Sequence, residues 1–134
     1  MKDADYLCIY RKNSEDYGLR GWIKLQTNKF SSSIMDFDTA VRLATENSNM
    51  SILVDSYIGR GLSKYSNKEY TRALSDATKA IRIQDDNPDV YYLRGLIFLD
   101  MNPPRVVKGC QDLQKSRDLG SKLVSDDQYE DYCN

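Results

Sequence analysis

Three arginines and three aspartates recur in this chain at nearly constant intervals. Arg20 and Asp36, Arg60 and Asp76, and Arg94 and Asp112 stand 16, 16 and 18 residues apart. A planar guanidinium and a carboxylate can share two parallel hydrogen bonds, so each couple has the makings of a bidentate ion pair. Arginines aimed at an anionic ligand would be the alternative chemistry, and it is disfavoured because each Arg brings its own Asp. Other reactive material is scarce. The chain has no histidine, which removes the usual general base and the commonest transition-metal ligand. Its three cysteines, Cys8, Cys110 and Cys133, are widely spaced and include no Cys-x-x-Cys. They read as reduced thiols packed as small apolar residues, with a Cys110–Cys133 bridge open if the last helix folds back. Tyr, Lys and carboxylates are plentiful, but no nucleophile–base pair or metal-ligand cluster stands out. The expectation is a chain without enzymatic activity, cofactor or metal.

The arginines belong to a longer phrase. Tyr17-Gly-Leu-Arg20-Gly21, Tyr57-Ile-Gly-Arg60-Gly61 and Tyr91-Tyr-Leu-Arg94-Gly95 share the pattern Tyr-x-x-Arg-Gly, with glycines 40 and 34 residues apart. A period of this size signals stacked two-helix units rather than one closed core. In each unit a first helix (A) carries the Arg and a second (B) carries the Asp. The middle unit predicts helix A from Val54 to about Tyr65, with Asn67 taking the left-handed conformation that ends it. Its helix B, about Tyr70 to Ile83, has Ala73, Leu74, Ala77, Ala80 and Ile81 at helical spacing. Asp85-Asp-Asn-Pro88 then closes it.

The first unit predicts helices over about 15–26 and 30–44, and the polar stretch Glu46-Asn-Ser-Asn lengthens its connection to the next. The third predicts 89–100 and 106–119, with Pro103-Pro104 in the turn and Gly120 as C-terminal cap. That two-residue insertion equals the wider Arg94–Asp112 spacing, so the geometric relation is kept. One more helix, 121–133, is expected to cover the exposed end of the stack. Tyr6, Leu7 and Ile9 fit the tail of a preceding helix B, a short capping helix or, third, a strand.

Composition sets the class. Hydrophobic residues at 40% and charged residues at 29% suit a folded, soluble chain. Net charge is −1 with both signs interspersed, so the basic stripe expected of a nucleic-acid binder is missing. No run approaches the roughly 18–20 apolar residues that would span a bilayer. The acidic start Met1-Lys-Asp-Ala-Asp carries no hydrophobic signal region. Cytoplasmic location is the first expectation, export with a signal already removed the second.

In this arrangement the chain resembles the tetratricopeptide repeat family over about residues 14–120. The family's aromatic in helix A is matched by Tyr17, Tyr57 and Tyr91, and the Gly four positions on by Gly21, Gly61 and Gly95. Phe30 and Tyr70 open helix B, with Val106 in the third unit. The first small residue of helix B is Ser33, Ala73 and Gly109, and the second Ala40, Ala80 and Ser116. Lys24 and Lys64 depart from the family's usual aromatic late in helix A, and each Arg stands where Leu is commoner.

The resemblance implies an all-α, right-handed α-solenoid: one domain with repeats at about 14–47, 54–87 and 88–120, plus the capping helix. It also implies a ligand groove on the concave face of the A helices. By register the groove positions are Leu19 and Trp22; Ile58, Leu62 and Tyr65; and Tyr92, Leu96 and Leu99. Glu15, Asp55 and Asp89 recur at the mouth of each helix A, where the helix N-terminus favours negative charge. The family's Lys/Asn clamp for a C-terminal carboxylate is not matched. The expected role is a protein- or peptide-binding adaptor or scaffold. The alternative is a structural or self-assembling terminal piece of a longer repeat protein, its groove filled by its own terminal segment.

Overall fold

The computed structural model describes residues 13–133, and these form seven helices with no strand. In chain order they are α1 (Ser14–Gln26), α2 (Phe30–Glu46), α3 (Met50–Ser66), α4 (Tyr70–Ile83), α5 (Pro88–Asp100), α6 (Val106–Asp118) and α7 (Asp126–Cys133). Each helix packs on the next, and α1 on α3 and α3 on α5 as well. The A helices α1, α3 and α5 therefore form one layer, and α2, α4 and α6 flank it as the B helices. Expectations for residues 1–12, Cys8 among them, lie outside the described residues. None of the described helices is long and apolar enough to cross a membrane.

The A and B helices begin differently. Each A helix has an asparagine N-cap whose side chain accepts a backbone N–H bond: Asn13 from Asp16, Asn49 from Ile52 and Asn87 from Asp89. The B helices have Lys29, Glu69 and Arg105 at the N-cap position, none with a side-chain cap bond. They follow either a tight turn or, for α6, the Pro-Pro loop. The turns after α1, α2, α3 and α6 share one design. A left-handed residue (Asn28, Ser48, Lys68 or Gly120) ends the helix. The next N–H then reaches back five residues, as Lys29 does to the Lys24 carbonyl and Glu69 to that of Lys64. This is the Schellman closure of a helix end.

Several expectations are corrected here. The left-handed residue after α3 is Lys68, not Asn67. Glu46–Asn49 is not a long connection, because α2 runs on to Glu46 and α3 starts at Met50, capped by Asn49. The additional residues of the first period lengthen these two helices. The terminal helix is shorter than expected: the Ser121 hydroxyl draws the Leu123 N–H into a local turn, and helix starts only at Asp126, capped by the Ser125 hydroxyl, which accepts from the Gln128 N–H. Cys110 and Cys133 are not free thiols but form a disulfide, Cα–Cα 5.5 Å.

The core runs between the layers. Phe37, Val90, Ile97 and Leu113 are fully buried, as are the small helix B residues Ser33, Ala40, Ala73, Ala80 and Ser116. Smallness is required where backbones meet. A Cβ on Gly95 would lie 3.1 Å from the Gly109 carbonyl oxygen, and one on Gly109 would lie 3.1 Å from that of Gly95. Such a contact repays the roughly 1 kcal/mol that Gly costs inside a helix. A buried serine pair joins the first two hairpins: the Ser33 and Ser63 hydroxyls are 2.8 Å apart and lie against the Gly21 and Gly59 carbonyls. Each hydroxyl has one proton, so two of these three contacts are hydrogen bonds at any moment and the third is a close oxygen–oxygen approach.

Candidate functional site

All three Arg–Asp couples are bidentate. Arg20 donates to Asp36 at 2.8 and 2.7 Å, Arg60 to Asp76 at 3.0 and 2.8 Å, and Arg94 to Asp112 at 2.7 and 2.9 Å. Each Arg also lies over the Tyr three residues before it, at 5.5–5.7 Å from the ring centroid. That contact explains the Tyr-x-x-Arg spacing, since one helical turn stacks the two side chains. Lys24 and Lys64, the departures noted above, supply a second cation to Asp36 and Asp76 at 2.9 and 3.0 Å. In the third hairpin Phe98 stands at that position, and the Arg94 guanidinium lies over its ring at 5.8 Å.

The couples clamp helix A to helix B within each hairpin. Between hairpins, Arg60 also reaches Asp38 on α2 at 2.9 Å. Burial alone would lower the Arg60 pKa, but hydrogen bonds and charges from Asp76 and Asp38 outweigh it and hold the guanidinium above its ordinary value. For Arg94 the hydrogen bond to Asp112 is the largest cause of a similar rise. In all three couples the guanidinium thus faces a buried carboxylate of the fold.

The open surface is the A-helix layer. Side chains at i, i+3, i+4 and i+7 on α5, and their neighbours on α1 and α3, point the same way. Trp22, Ile58, Leu62, Tyr92 and Leu96 line one hollow of about 270 Å³, with Asp89, Leu93 and Leu123 completing its wall. Trp22 is fixed twice: its ring meets Phe37 edge-on at 5.4 Å, and its indole N–H donates to Asp55 at 3.0 Å. On the other side of Trp22 lies a second hollow of about 430 Å³, lined by Glu15, Asp16, Gly18, Leu19, Ile52 and Asp55. The first hollow is almost wholly apolar, and the second carries carboxylates beside apolar side chains.

Six of the eight expected groove positions line these hollows: Leu19, Trp22, Ile58, Leu62, Tyr92 and Leu96. Tyr65 does not, because its hydroxyl donates to Asp100 and its ring meets Tyr70 at 5.8 Å. Leu99 turns to α6, where its branch sits against Gly109. Asp55 is not at a helix mouth, since α3 begins five residues earlier, whereas Glu15 and Asp89 are in first turns as expected. The role of Asp55 as acceptor for Trp22 leaves no local signal, because the partners are 33 residues apart. Leu123 escaped for a related reason: a helix over 121–133 hides the bent, non-helical path that carries it to the A face. No family model and no curated protein matches this sequence.

Proposed function

We propose that this chain is a non-enzymatic peptide-binding adaptor of tetratricopeptide-repeat type, its hairpins wound as a right-handed solenoid with the A helices on the concave side. The reading rests on one observation: apolar side chains from three successive A helices converge on one hollow beside a second, acidic one. A concave, mostly apolar hollow lined by half-buried side chains, with polar groups beside it, is the form a binding site takes. Its occupant is a peptide segment with an apolar anchor and a neighbouring Lys or Arg. The anchor fills the hollow formed by Ile58, Leu62, Tyr92 and Leu96. The cation faces Glu15 and Asp55 across Trp22, and charge complementarity of this sort steers encounter and suppresses acidic competitors.

The Cys110–Cys133 disulfide supports an oxidising compartment, hence the exported alternative over the cytoplasmic one. A second reading, a structural terminal piece with a self-occupied groove, is favoured by Leu123, which forms part of the cavity wall from the chain's own C-terminal segment. Selection from a random peptide library tests the first reading. Enriched sequences should pair Leu, Ile, Met or Phe with a nearby Lys or Arg, and titrating one should shift the Trp22 indole N–H resonance. Shifts confined to the outer faces of α2 and α4 would overturn it.

A further inference from the structure

The chain after Gly120 is held to the stack at few points. Val124 is buried, Leu123 lines the apolar hollow while half exposed, and Cys133 is bonded to Cys110 on α6. Helix α7 buries no residue. Isolated helices shorter than about 12–15 residues are marginal in water, and α7 has eight. Its other anchors lie at the surface. Arg117 pairs with Asp126 at 2.7 Å, but Asp126 is 80% exposed, and the same Arg lies 5.0 Å over the Tyr129 ring. An exposed pair of this kind contributes little. The disulfide is thus the dominant restraint on α7, and together with buried Val124 it holds the short run 121–125 that carries Leu123.

We infer that the Cys110–Cys133 disulfide is a redox latch on the apolar hollow, holding residues 121–125 as a strap that keeps Leu123 in its wall. Both cysteines are partly exposed and border a surface hollow of about 600 Å³ with Val106 and Val107, so a small dithiol reaches the bond. Reduction transfers two electrons and two protons from the dithiol to the S–S bond. The products are the Cys110 and Cys133 thiols and the dithiol's own disulfide. Freed of its tether, α7 frays, the strap lifts and the hollow opens. That the hollow then admits a peptide rests on the function proposed above; the latch itself does not.

The test uses the intact chain with and without dithiothreitol. Trp22 is its sole tryptophan, so acrylamide quenching reports directly on the hollow, while hydrogen exchange reports on the strap. Reduction should speed exchange across 121–133 at least tenfold, raise Trp22 quenching about 1.5-fold or more, and leave the far-ultraviolet helical signal nearly intact. Leu123→Ala in the oxidised protein should raise quenching similarly without speeding exchange in α7. Unchanged exchange, unchanged quenching in either experiment, or collapse of the whole helical signal on reduction overturns the latch. Failure of peptides to bind, with these results in hand, would count against the proposed function alone.

Discussion

Asp76 is 1% exposed yet stays acceptable to the fold because Arg60 and Lys64 both face it. Removing one partner of a buried pair costs about 3–5 kcal/mol when the remaining charge is left alone. Among the described residues Asp112 has Arg94 as its one ion-pair partner, so Arg94→Met should cost about 3–5 kcal/mol in a urea titration. Arg60→Met leaves Lys64 in place and should cost less, about 2–3 kcal/mol. Equal losses, or additivity in the cycle Arg94→Met with Asp112→Leu, would show that the couples are not the clamps described.

A second prediction concerns Tyr65. Burial, with the hydrogen bond and charge of Asp100 behind it, raises its phenol well above the ordinary 10.0. The folded state therefore keeps this proton more tightly than the unfolded chain. Its contribution to stability is complete below pH 10 and is lost as pH climbs toward the folded value. Wild type should lose stability above pH 10 more steeply than Tyr65→Phe, and parallel curves would contradict this. The Arg–Asp pairing was legible in the sequence because its spacing repeats. The second cation was not, since Lys24 and Lys64 had looked like mere departures from a family pattern.

At the level of elements, helix limits were readable where side chains make them. Phe30 and Tyr70 open α2 and α4 as expected, and Gly120 closes α6. They were misread at Asn67 because Asn suits the left-handed region, whereas the closure places Lys68 there, φ 63°. A non-Gly residue in that region costs roughly 1–2 kcal/mol, offset in part by the greater backbone entropy Gly loses on folding. Lys68→Gly should therefore raise stability by about 0.5–1 kcal/mol in thermal or urea unfolding; a loss would contradict the turn geometry. Gly59 makes the opposite case. It lies outside the Tyr-x-x-Arg-Gly positions that repeat in glycine, and its reason appears only in three dimensions: a Cβ there would sit 2.3 Å from the fully buried Phe37 ring. Overpacking of this order costs about 1–3 kcal/mol and outweighs the roughly 1 kcal/mol of helix propensity gained. Gly59→Ala should thus destabilise, and a neutral result would mean that Phe37 has room to move.

For the whole molecule, the order of packing was legible because each motif repeats with its neighbours in register, and stacking of successive hairpins follows from that. The path of residues 121–133 was not, because no period governs it and a disulfide ties down its end. The A face combines both kinds of information: its apolar positions follow from register, while Leu123 and the Asp55 hold on Trp22 come from contacts between distant segments. The claim that this face is the binding surface is tested most directly by Leu62→Glu and Leu96→Glu, measured by calorimetry against a library-selected peptide. Each should weaken binding at least tenfold, about 1.4 kcal/mol or more, with the helical signal unchanged. Normal binding by both variants, with binding lost instead to charge changes on α2 or α4, would contradict it.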